Sequence, residues 1–262
     1  MKNSIKLLST IIVLSFLSCK KDKKTAEPEP EPISVTAGTL QIKFDSKVDA
    51  APFVMGQKFV NPYGDTMTIN TFKYFISNIV LTKEDNSTYT VPESYHMVDH
   101  AILAQQTISL TNVPGGAYKS IKFMFGVDSA RNKSGAQTGA LDPSGLAADM
   151  FWTWSSGYIM LKIEGTSPKS GAVGKGLTYH VGGFGGANKT QRTFDLNFGA
   201  GRANVASDKS PKIYLNSNIN EFFKTPTMID VVTQYYCMSA GTTAKLFADN
   251  YADMIAFSNV TN

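Results

Sequence analysis

Met150-Phe-Trp-Thr-Trp-Ser-Ser-Gly-Tyr-Ile-Met-Leu-Lys-Ile-Glu-Gly165 holds both tryptophans of the chain, Trp152 and Trp154. From Tyr158 to Ile163 it is apolar at every position except Lys162. A short run rich in β-branched and aromatic residues, bounded by glycines, predicts a strand with much of its surface covered. On a strand, residues two apart point to the same face, so Trp152 and Trp154 are expected side by side. Rings of that size dominate a core. Two readings follow: the pair forms the core of a β-sandwich, or one indole sits at a metal or redox site beside a histidine.

The segments around this run have the same character. Gly38 to Asp45 alternates, with Leu40, Ile42 and Phe44 inward and Gln41 and Lys43 outward. Thr68 to Thr82 is long for one strand, and a bulge or bend near Ser77-Asn78 is expected to divide it. Ile121, Phe123 and Phe125 alternate, Leu177 to Val181 is another short strand, and Tyr235 to Met238 reads as a buried one around Cys237. Ala244 to Asp253 alone after the leader has helical spacing. Asp128 to Ala148 and Ser167 to Gly176 read as loops, and a loop as long as the first is often functional. The expectation is an all-β fold: an antiparallel two-sheet β-sandwich with long loops and one short C-terminal helix.

The first 36 residues read differently. Lys2 and Lys6 precede an apolar run from Leu7 to Leu17, too short to span a bilayer. Residues 1–18 are therefore expected to be a signal peptide. Phe16-Leu17-Ser18-Cys19 resembles the bacterial lipobox, with an aromatic where an aliphatic residue is commoner; it implies cleavage before Cys19 and a lipid on its thiol. Residues 19–36, a Lys-rich run followed by three Glu-Pro repeats, read as a tether, because such sequence buries no apolar area. Residues 37–262 are left as one domain, long enough for a sizeable core. An anchor of this kind implies a Gram-negative-type envelope. In the Bacteroidota an acidic run after the lipid cysteine resembles a surface-export signal. Lys20-Lys-Asp-Lys-Lys24 departs from it, so the expected place is the outer membrane, facing the periplasm.

The net charge of +4 comes largely from the leader and tether, and no basic patch of the kind that binds nucleic acid appears. With Cys19 lipidated, Cys237 has no disulfide partner within the chain. Metal ligands must then come from the three histidines His96, His100 and His180, from carboxylates or from methionine. Taken alone, each histidine also fits a structural role. Asp128, Asn132 and Asp142 could offer oxygens to calcium, without the spacing of an EF-hand. Glu164 and Asp99 could act as an acid–base pair, although nothing in the sequence pairs them. No nucleophile elbow or nucleotide glycine motif is present, and the chain is expected not to be an enzyme.

Several segments resemble the MbnP-like copper-binding family, named for a protein of methanobactin operons. They include Phe72-Lys-Tyr-Phe-Ile-Ser-Asn-Ile-Val-Leu81, Tyr95-His-Met-Val-Asp99, Val113-Pro-Gly-Gly-Ala-Tyr118, Phe125-Gly-Val-Asp128 and Gly139-Ala-Leu-Asp-Pro143. Met150-Phe-Trp-Thr-Trp154 with Gly157-Tyr158, Tyr179-His-Val-Gly182 and Ala248-Asp-Asn-Tyr251 continue the series. The resemblance implies a β-sandwich that holds copper through histidine, and in some members a tryptophan oxidised by a partner dihaem peroxidase. His180 matches the family's His-x-Gly segment, with His96 and His100 as the other imidazoles; Trp152 and Trp154 match its double-Trp motif. Members' copper sites use a Trp-x-His style arrangement, whereas here Trp154 is followed by Ser155 and Ser156. The alternative is a non-metal binding or structural envelope lipoprotein that keeps the fold without the copper site, holding a glycan or partner through its loops.

Overall fold

A computed structural model describes residues 36–134, 137–155 and 157–262. The leader, Cys19 and the tether up to residue 35 lie outside the described residues. In chain order the strands are β1 (Gly38–Val48), β2 (Ala51–Pro52), β3 (Lys58–Val60), β4 (Thr66–Lys83), β5 (Thr88–Thr90), β6 (Tyr95–Asp99), β7 (Thr107–Val113) and β8 (Gly116–Phe125). They continue with β9 (Phe151–Trp152), β10 (Gly157–Thr166), β11 (Gly176–Gly182), β12 (Arg192–Asn197), β13 (Ala203–Val205), β14 (Lys212–Asn218), β15 (Tyr236–Cys237) and β16 (Ile255–Thr261). Two helices join them, α1 (Ser129–Lys133) and α2 (Thr242–Asn250).

The strands form two sheets packed as a sandwich. The smaller runs β16-β14-β1-β2, with β7 also on β1; the larger runs β12-β8-β4-β10-β11-β15, with β3, β5 and β6 on β4, β9 on β10 and β13 on β8. Pairing is antiparallel except for β1 with β14 and β11 with β15. The alternation read in β1 is the packing: Leu40, Ile42 and Phe44 are fully buried against the inner face of the large sheet, where Phe72, Tyr74 and Ile76 of β4 meet them. Phe44 touches Tyr74 and Phe123 edge-on, with ring centroids 6.0 and 6.3 Å apart.

Strand β4 is the axis of the large sheet. It stays one strand of 18 residues rather than two. The expected irregularity is present, because its register with β8 shifts between Ser77 and Val80. Asn78 takes a positive φ of 53° there, a conformation Asn tolerates better than most residues.

Both faces of the large sheet are covered. A second apolar cluster on its outer face joins Phe75, Val127, Leu141, Ala147, Met150, Trp152, Tyr158, Ile159 and Met160. The long segment after β8 therefore acts as a cover. Asp128 caps α1 by accepting from the Arg131 amide (2.9 Å). Asn132 donates to the Val127 carbonyl (2.8 Å) and accepts from the Tyr158 amide (3.0 Å), and the Tyr158 hydroxyl donates to the Leu141 carbonyl (2.5 Å). Burial on both faces explains why β10 is covered continuously from Gly157 to Ile163.

The tryptophan run corrects the expectation of one strand. Phe151–Trp152 and Gly157–Thr166 are two strands of a hairpin, pairing Trp152 with Gly157 and Phe151 with Tyr158, and Thr153 to Ser155 lie in a turn. Trp152 is 4 % exposed and Trp154 64 % exposed, so only one indole is core, and it belongs to the outer cluster rather than to the interior between the sheets. The rings still touch, with centroids 5.2 Å apart. On chemical denaturation Trp152→Ala is expected to cost about 3–5 kcal/mol, as for other large buried aromatics. Trp154→Ala is expected to cost only the ring contact, about 0.5–1.5 kcal/mol. Equal losses would mean that the exposed indole is packed after all.

Candidate functional site

Adjacent strands place four ionisable residues in one cross-strand row on the outer face. His180 of β11 faces Lys162 of β10, Lys162 faces Lys73 of β4, and Lys73 faces Asp99 of β6. Lysines directly opposite each other repel. Asp149, from the covering segment, answers both: its Oδ2 lies 3.0 Å from Lys73 Nζ and 3.3 Å from Lys162 Nζ. Asp99 lies 3.3 Å from Lys73, and Glu164 lies 3.7 Å from Lys162. Asp149→Ala would leave the two ammonium groups facing each other. Since Asp149 is about half exposed, a loss of about 1–2 kcal/mol is expected. The near-ultraviolet circular dichroism of the tryptophans should weaken with it, because Asp149 holds the segment that enters their hairpin; an unchanged signal would disconnect the two.

His180 sits at the end of this row, largely buried, with Nε2 2.7 Å from Glu164 Oε1. Glu164 also accepts from the Thr71 hydroxyl (3.0 Å). Burial opposes charge on Glu164, but the His180 hydrogen bond and the nearby Lys162 outweigh it and hold the carboxyl below its ordinary range. Burial, helped by Lys162, pushes His180 down. The consistent state is a neutral imidazole whose Nε2–H donates to an ionised Glu164, leaving the Nδ1 lone pair without a hydrogen bond among the described residues. A carboxylate that fixes a histidine in this way is a common outer-shell partner of metal-binding imidazoles.

The other two histidines lie across the sheet. Tyr179 and Val181, which flank His180, point into the interior between the sheets, so His180 points out. His96 faces Ile76 of that interior, whereas its neighbours Tyr95 and Met97 pack on the outer cluster, so His96 points in. His100 also points in, stacked on Phe72 with centroids 4.3 Å apart. Its Nδ1 bonds the Ser46 hydroxyl of β1, and its Nε2 lies 3.1 Å from the Tyr74 hydroxyl, which meets Ser217 Oγ at 2.6 Å. Both ring nitrogens of His100 are therefore engaged in a polar chain that ties the sheets together.

The register thus places the three candidate imidazoles apart: His180 is on one face, His96 and His100 on the other. Among the described residues no group of three or more His, Cys, Asp or Glu is arranged to hold a metal. The donor set does not fit a copper centre built from two or more histidines: a lysine ammonium stands beside His180, and the unpartnered Nε2 of His96 lies buried on the other face. The oxygens considered for calcium are engaged elsewhere. Asp128 caps α1 and accepts from Tyr95 (2.6 Å), Asn132 braces the cover, and Asp142 accepts from the Ser144 amide (2.8 Å). Asp99 is in the row and Glu164 lies next to it, but each is held by its own cation. Sequence reasoning missed Lys73, Lys162 and Asp149; the one signal was Lys162, the single polar residue in a run otherwise buried.

Trp152 packs on the same strand as His180. Gly182, two residues on along the same face, is overlain by Trp152, and a Cβ on Gly182 would come within 2.8 Å of that ring. Beyond it a cavity of about 430 Å³ opens between the tryptophan hairpin and the glycine-rich segment after β11.

The buried rings of His96 and His100 set a pH dependence. Burial lowers them from 6.5 to about 4 and about 3. Because the unfolded chain binds these protons more readily, the stability they contribute is complete above about pH 6.5 and is lost as pH falls towards the folded values. Each ring accounts for about 2 kcal/mol of destabilisation between pH 7 and pH 5. In denaturant titrations at the two pH values His100→Leu should remove about one such share; an unchanged pH difference would contradict the burial.

A family model described as MbnP matches residues 37–239. A search of the curated proteins finds no match. Among solved structures, MbnP from Methylosinus trichosporium superposes with a TM-score of 0.54 at 13 % sequence identity, covering 81 % of this chain and 88 % of that one. At that identity the likeness concerns the fold alone.

Proposed function

The chain belongs to the MbnP family, and from that premise we propose that it is a non-catalytic, lipid-anchored binding protein of the bacterial envelope that keeps the family fold without a multi-histidine copper centre. One observation carries this reading: the strand register puts His180 on the opposite face of the sheet from His96 and His100. A ring braced by Glu164 and crowded by Lys162 offers copper one nitrogen, and one imidazole alone does not retain the ion. The anchor is the Cys19 thiol, with residues 20–36 holding the domain off the membrane; the charged leader, short apolar run and Glu-Pro repeats support it. No catalytic grouping emerges among the described residues, because Glu164 and Asp99 each neutralise a cation of the row.

Metal analysis after copper loading and dialysis against a chelator tests the reading. The protein should retain substoichiometric copper, and His180→Ala should retain the same amount. Stoichiometric copper that is lost in His180→Ala would overturn it and restore His180 as a ligand. With no copper centre to direct oxidation, mass spectrometry of the peptide carrying Trp152 and Trp154 should show no stoichiometric oxygen addition in protein from the native envelope.

A further inference from the structure

The cavity beneath the tryptophan hairpin has a lining unlike the charged row beside it. Trp152 and Phe184 supply aromatic surface, Ser155 and Asn188 supply the polar side chains, and the rest is Ala240 and the backbone of glycines. Among the described residues no ionisable side chain lines it. Its volume of about 430 Å³ lies within the range of small-molecule sites. Trp154, tilted against Trp152 with ring centroids 5.2 Å apart and 64 % exposed, carries the aromatic surface out to solvent. The Trp152 indole N–H is buried and has no acceptor among the described residues, an arrangement that costs free energy unless a partner arrives.

We propose that this cavity is a binding site for a neutral saccharide. The face of an indole or phenyl ring is electron-rich, and the C–H face of a sugar ring presents the complementary hydrogens. A sugar's hydroxyls need both donors and acceptors at close range; Ser155, Asn188 and the glycine peptide groups offer both. Glycine lets the backbone approach a ligand without a side chain between. An ionic ligand finds no counter-charge here. The inference goes beyond the metal reading and does not depend on it, since none of the lining residues is a histidine.

The chain has two tryptophans, Trp152 in the lining and Trp154 in ring contact with it, so tryptophan emission reports on this site. Maltotriose, cellotriose, diacetylchitobiose and, as an aromatic control, indole are titrated into the full-length protein. A saturable change in emission with at least one saccharide is expected. Asn188→Ala should weaken it about tenfold or more. Gly185→Leu should also weaken it, because Gly185 lines the cavity and its extended backbone, with φ −135° and open space around a Cβ, accepts the side chain. Unfolding midpoints of both variants should match that of the parent; if Gly185→Leu fails to fold, Asn188→Ala decides. No saturable response to any of the three saccharides, an undiminished response in the folded variants, or saturation by indole alone would each overturn the proposal.

Discussion

Two lysines facing each other across neighbouring strands of a covered sheet need an anion between them, and Asp149 is that anion. Lys73 and Lys162 are fixed by the β4–β10 register, and that register is fixed by the apolar residues on the inner face. A shift of one residue would turn Phe72 and Tyr74 outward and the lysine into the core. Asp149 must therefore come down onto the outer face, and Met150 and Trp152, which follow it, are delivered to the outer cluster. The ion pairs of Asp149 and the apolar burial of Met150 and Trp152 together seat the tryptophan hairpin on the outer face.

The cover is otherwise held by backbone-directed hydrogen bonds. Asn132 joins the end of β8 to the start of β10, and Tyr158 reaches back to Leu141. Leu141, Ala147 and Met150 of this segment are buried against the sheet, whereas Leu146 is exposed. The chemical differences between the two faces follow: the inner face carries a sealed Ser46–His100–Tyr74–Ser217 chain, the outer face a half-open ionic row and a cavity.

Much of the fold was legible because period-two patterns survive in the finished sheets. Leu40, Ile42 and Phe44 announced the inner face of β1, and Ser77-Asn78 announced the irregularity in β4. The helix read from Ala244 onward and the buried setting of Cys237 are also present. The tryptophan pair was misread because alternation presumes an unbroken strand, and Ser155 and Gly157 are as compatible with a turn as with a bulge. The site was barely legible. Which face a histidine occupies depends on pairings between residues far apart in the chain, and nothing local to His96 or His180 encodes them. Asp149 carried no signal at all; its role exists only once Lys73 and Lys162 are neighbours.

The parallel pairing of β1 with β14 has a consequence for how the protein is made. Gln41 finds its partner in Lys212, and β16 then closes against β14 at the last residues of the chain. Contacts so distant in sequence form slowly. Until β14 has been made, β1 has only β2 and β7 beside it, along one edge, and its other edge is open. During that interval the β1 edge that will receive Lys212 to Asn218 is free to pair with another strand.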